Sequence, residues 1–96
     1  MKAIKPQYLL LWTSRRELWM GLTTAPLDAR DMELTHVRQC IRFSGTHKGV
    51  LGLCVVGPDD QCRVSPPVAR MFIREIDWAC EVQPSALAGW ERQPWL

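Results

Sequence analysis

The sequence predicts an α+β fold: a small bent antiparallel sheet or open barrel with one or two short helices covering it. Three observations carry that expectation. Short segments rich in large apolar residues recur along the first half of the chain, each ended by turn-forming residues. The segment "VARMFIREIDWACEV", Val68 to Val82, is apolar on both faces, the pattern of a central strand. Near the end, Pro84 stands where a helix can begin, with "SALAGWER" behind it.

Taken in order, Lys5 to Trp12 reads as a first strand. "TSRR", Thr13 to Arg16, reads as a turn, and Glu17 to Thr24 as a second strand, so the two form a hairpin. Pro26 and the following "DARD" interrupt the pattern. Met32 to Phe43 suits a longer strand, with Val37, Gln39, Ile41 and Phe43 on one face and Arg38, Cys40 and Arg42 on the other. Ser44 to Val56 is either a loop or a short helix capped by Ser44 or Thr46; its three glycines require that a helix there be held by packing. Gly57 to Cys62 is a loop, and Cys62 to Val64 a short strand before the Pro66–Pro67 break.

A chain of 96 residues makes one domain, 1–96, because two cores would each bury too little surface to offset chain entropy. With 47% apolar residues and five tryptophans, a core forms without disulfide staples. Twelve basic residues against ten acidic ones leave a net charge of +2, far from the balance of a dedicated nucleic-acid binder. Only Tyr8 to Trp12 is continuously apolar near the start, too short for a signal-peptide core or a membrane span. The expectation is a protein of the cytoplasm with no membrane partner.

The stretch "IRFSGTHKGVLGLCVVG", residues 41 to 57, has the outline of a phosphate loop. A Walker loop needs its lysine after the second glycine and a hydroxyl next to it; here Lys48 precedes Gly49 and no Ser or Thr follows. The dinucleotide spacing G-x-G-x-x-G is also absent, so the stretch reads as a tight strand-to-helix turn. His36, His47, Cys40, Cys54, Cys62 and Cys80 contain no CxxC or HxxxH spacing, and the expectation is buried thiols, with no metal and no cofactor. No histidine is placed beside Cys40, no serine lies in G-x-S-x-G, and Asp59–Asp60 fall in a loop. The chain is not expected to be an enzyme.

Arginine on strands is the pattern that points to binding. Arg38 and Arg42 share one strand face; Arg70 and Arg74 share another with Phe72 between them. Were the strands neighbours, four guanidiniums would converge on a phosphate or carboxylate, with Phe72 or Trp78 as a stacking surface. The competing reading pairs them across strands with Glu33, Glu75 and Asp77 as ordinary surface contacts. Trp12, Trp19 and Trp78 read as core, whereas Trp90 and Trp95 either seal one end of the fold or project as interface anchors.

The order of "VRQCIRF", "SGTHKGVLGLCVVG", "CRV", "VARMFIREIDWACEVQP", "ALAGWER" and "PW" resembles a family of small proteins found mainly in tailed phages and prophages. The likeness runs from Val37 to the end, roughly residues 37–96. It implies a phage source and an accessory protein that works by binding in the cytoplasm of the bacterial host. The expected function is inhibition of a host defence or regulatory protein by direct contact. A second expectation is a homo-oligomeric sponge for a nucleotide-type defence signal; a third, ranked below both, is a nucleic-acid-associated or structural phage protein.

Overall fold

The computed structural model describes residues 5–42, 51–58 and 62–92. Its elements run β1 (Gln7–Thr13), β2 (Leu18–Thr23), β3 (Met32–Arg42), α1 (Gly52–Val55), β4 (Arg63–Val64), β5 (Val68–Ile73), β6 (Ile76–Glu81) and α2 (Pro84–Arg92). The strands form one open antiparallel sheet in the order β4-β3-β2-β1-β6, with β5 also paired to β3; it is not a closed barrel.

The hairpin expected at the start is present. Its turn is made by Arg16 in the left-handed region (φ 64°), with the Arg16 N–H donating to the Thr13 carbonyl at 2.9 Å. β1 then pairs with β2 on one side and β6 on the other, and Leu9, Leu10 and Leu11 are all fully buried. A strand buried on both faces is central, so β1 holds the position the sequence assigned to Val68–Val82. That long segment is instead two strands. It turns at Arg74–Glu75, where Glu75 has φ 59°, so that β5 lies along β3 and β6 along β1. Its two-faced apolar pattern comes from this change of neighbours, since Met71, Ile73, Ile76 and Ala79 face one cluster while Trp78 and Cys80 face another.

The two clusters lie on opposite faces of β1. One collects Leu9, Leu11, Met32, Leu34, Val37, Ile73 and Ile76 inside the curl made by β5 and β6. The other collects Leu10, Leu18, Met20, Cys40, Val64 and Val82 beneath the two helices, which add Leu53, Cys54, Ala86 and Trp90.

A bulge explains how β3 serves both. Met20 opposes Arg38 and Leu22 opposes Thr35, so Gly21 faces two residues, His36 and Val37. His36 takes the left-handed conformation at φ 51°, which costs a non-glycine residue roughly 1–3 kcal/mol. The extra residue reverses the alternation, and Leu34 and Val37, three apart, both enter the inner cluster. A Cβ on Gly21 would come within 3.0 Å of Leu34 Cβ, so the missing side chain is what lets β3 approach.

α1 has four residues, too few to be stable alone. Its N-cap, Leu51, makes no side-chain capping bond, and the Ser44 and Thr46 caps expected from sequence fall outside the described residues. The neighbourhood of α2 supplies the missing partners. The carbonyls of Leu53, Cys54 and Val55 accept from the Trp90 indole (2.9 Å), the Gln83 N–H (2.8 Å) and the Ser85 hydroxyl (2.8 Å). Gly57 then lets the chain pass under α2: it sits at φ 89°, and a Cβ there would lie 2.5 Å from the Ala86 carbonyl oxygen.

Two substitutions test this backbone. Gly57→Ala should lower unfolding stability by at least about 1 kcal/mol, because both the dihedral and the space oppose a side chain. His36→Gly should raise it by up to about 1 kcal/mol by relieving the left-handed residue. Urea denaturation of the two variants reads both.

Candidate functional site

The sequence-predicted arginines divide by the side of the sheet they face. Arg38 lies on the helix-covered side and is only 5% exposed. Its Nε donates to the Ser65 carbonyl at 2.9 Å and its Nη1 donates to the Trp90 carbonyl. Burial lowers its pKa from the ordinary guanidinium value. A charged donor that fastens a loop and a helix to β3 is a structural group, and the expected convergence of four arginines does not form. Trp90 is likewise fully buried, so it seals the fold and is not an interface anchor. Trp95 and the Arg42 side chain lie outside what the structure describes.

Arg70, Phe72 and Arg74 remain on the surface, on or just beyond β5. Met71 and Ile73 turn toward the inner cluster, which leaves Val68, Arg70 and Phe72 pointing outward. Phe72 is 55% exposed and Val68 43%, high values for large apolar side chains on a strand. Arg74 places its guanidinium carbon 5.6 Å from the Phe72 ring centroid, a cation–π contact that holds the two together. The cross-strand neighbours are Glu33 opposite Phe72 and Thr35 opposite Arg70. Two of the three acidic partners expected from sequence are engaged elsewhere: Glu75 faces Arg15 at 3.8 Å, and Asp77 accepts from the Ser14 hydroxyl at 2.9 Å. Among the described residues, neither Arg70 nor Arg74 is ion-paired.

Beside this surface lies an open groove of about 700 Å³, lined by Arg15, Trp19, Asp31, Phe72, Arg74 and Glu75 among others. Reading the sequence for strand faces misses Arg15, Asp31 and Glu75, which reach the groove from turns. Trp19 is partly buried against the inner cluster as expected. Its indole N–H is buried and has no hydrogen-bond partner among the described residues, a state that buried donors seldom keep.

The remaining chemistry is sulfur. Cys40, Cys54 and Cys62 belong to the helix-covered cluster, Cys80 packs against it, and none of the four is in a disulfide. The Cys54 and Cys80 thiols lie within hydrogen-bonding reach of each other. That bond, and then burial, push the Cys54 pKa up, while the same bond draws the Cys80 pKa down. Among the described residues there is no group of three or more His, Cys, Asp or Glu side chains that could hold a metal ion. No helix among them is long and apolar enough to cross a membrane.

An open antiparallel sheet carrying two short helices and a solvent-facing aromatic–arginine pair defines the class of this protein. The chain belongs to the DUF6948 family, a domain of unknown function, whose sequence profile matches residues 6–90. That match takes in the first hairpin as well as the region from Val37 onward. No match was found among curated proteins or among solved structures.

The division between buried and exposed arginines has a measurable consequence. Arg38→Ala should cost roughly 2–3 kcal/mol, because it leaves the Ser65 and Trp90 carbonyls without their charged donor. Arg70→Ala should stay within about 0.5 kcal/mol of the parent. Thermal and urea unfolding of both variants make the comparison.

Proposed function

We propose that the protein is a non-catalytic binding protein of phage origin that acts in the bacterial cytoplasm and blocks a host defence or regulatory protein by direct contact. The observation that carries the reading is the outward face of β5. Phe72 and Val68 offer apolar contact area, Arg70 and Arg74 flank it with charge that is not ion-paired among the described residues, and β5 pairs with β3 alone among the described strands. Exposed aromatic and arginine side chains in one patch are the composition of interaction hot spots. The charge on the patch favours an acidic surface on the partner.

A second reading draws on the groove. A homo-oligomer could use Phe72 as a stacking face and Arg15 or Arg74 as phosphate donors, sequestering a nucleotide-type signal. Loss of Arg38 from the expected cluster leaves that reading with fewer cations than the sequence offered it.

The test is an affinity capture from the bacterial host, with the eluate divided between proteomics and small-molecule mass spectrometry. A specific host protein should be enriched by the parent chain. Its affinity for the purified chain should fall at least about 30-fold when Phe72→Ala is combined with Arg70→Glu and Arg74→Glu. Undiminished binding by that variant removes the β5 face from the interface. A bound nucleotide with no protein transfers the function to the groove.

A further inference from the structure

Cys54 and Cys80 come from different elements, α1 and β6, and the fold brings their thiols into mutual hydrogen-bonding reach. Their approach is not a matter of side-chain rotation alone. The Cys54 carbonyl accepts the Gln83 N–H at 2.8 Å, three residues beyond Cys80, so the α1 backbone is fastened beside the end of β6. The two sulfurs also differ in access. Cys54 is 4% exposed, Cys40 and Cys62 are 5% and 3%, and Cys80 alone of the four is partly open to solvent.

We infer that Cys54 and Cys80 form a thiol modification site, which hydroperoxides oxidise to an intramolecular disulfide. Cys80 is the residue attacked first, because it alone of the two sulfurs is partly open to solvent. Its sulfur attacks one peroxide oxygen; an S–O bond forms, the O–O bond breaks, and the other oxygen leaves as alcohol or water after taking up a proton. Cys80 is then a sulfenic acid. The Cys54 sulfur attacks it, an S–S bond forms, the S–O bond breaks, and the hydroxyl leaves as water with the Cys54 proton. In total the two thiols give up two electrons and two protons, and the hydroperoxide is reduced to alcohol and water.

The pair has the arrangement such chemistry needs, an accessible thiol with a shielded second thiol within reach of it. The product would tie α1 to β6 covalently and so fix the helix that displays the exposed side chains of Leu51, Val55 and Val56. This assignment does not depend on the partner proposed for β5, and its experiment involves no partner.

The full chain, reduced and then freed of reductant, is treated under native conditions with hydrogen peroxide. Remaining thiols are alkylated after unfolding, and the protein is cleaved with trypsin and an aspartate-specific protease; cutting at Asp59–Asp60 separates Cys54 from Cys62. The expected product is a Cys54–Cys80 linked peptide, two hydrogens lighter than its separate parts, with Cys40 and Cys62 recovered alkylated. Absence of the linked peptide, or a link through Cys40 or Cys62 instead, overturns the assignment. In Cys54→Ser the sulfenic acid should persist and be trapped by dimedone on Cys80. Label on a different cysteine, or none, overturns the role given to Cys80. The parent chain decides the existence of the site even if the variant does not fold.

Discussion

The indole N–H of Trp90 holds the Leu53 carbonyl of α1, while the Trp90 carbonyl takes the guanidinium of Arg38 from β3. Through this one residue two short helices and the sheet become a single unit. Neither helix is self-sufficient: α1 is one turn long, and α2 has nine residues, below the length at which helices persist in water. Arg38 also fixes the far side of the arrangement, since its Nε reaches Ser65. Ser65 in turn is pinned to β3 by exchange with Gln39, each backbone N–H satisfied at 2.8 Å. A buried charge is tolerable here because carbonyl oxygens meet it on two sides.

On the opposite face of the sheet the equivalent constraint is the corner at Arg74–Glu75. Three hydrogen bonds from two separate segments hold it. The Glu75 N–H donates to Asp31 at 3.0 Å, the Glu75 carbonyl accepts from Ser14 N–H at 2.9 Å, and the Ile76 N–H donates to the Arg30 carbonyl at 2.8 Å. The corner encloses the inner cluster, because it carries the chain from the outer edge of β3 to the outer edge of β1 without an intervening loop. Trp12 and Trp78, opposite one another in the β1–β6 register, stack at 6.3 Å on the helix-covered side and reinforce that closure.

Much of this was legible in the residues, and what was not has a physical cause. Alternation and turn residues placed the first three strands to within about two residues, and Pro84 marked α2. The corner was invisible because "IREI" contains no glycine, proline or asparagine; its left-handed Glu75 is imposed by bonds to Asp31 and Ser14, residues more than forty positions away. Arg38 looked like Arg70, since alternation assigns a residue to a face but does not say which face a helix will cover. The His36 bulge had the same effect in smaller form, reversing the alternation within β3. Of the candidate site, Phe72 and Arg74 were readable from a two-residue spacing on one strand. Arg15, Asp31 and Glu75 were not, because turns meet at the groove only after the sheet has curled.

The curl also explains why the exposed aromatic lies on β5 and nowhere else in the sheet. The helix-covered cluster draws on β1, β2, β3, β4 and β6 but takes no residue from β5. The outward face of β5 therefore meets no described element, while its inward face is filled by Met71 and Ile73. A side chain of phenylalanine size at that position gains only part of its burial energy from folding, since it remains more than half exposed. Arg74 covers part of the ring, yet a cation–π contact at the surface offsets only about 0.5–1 kcal/mol. Folding alone thus gives Phe72 and Arg74 little reason to stand together on the surface, which is why the contact proposed above is placed on β5.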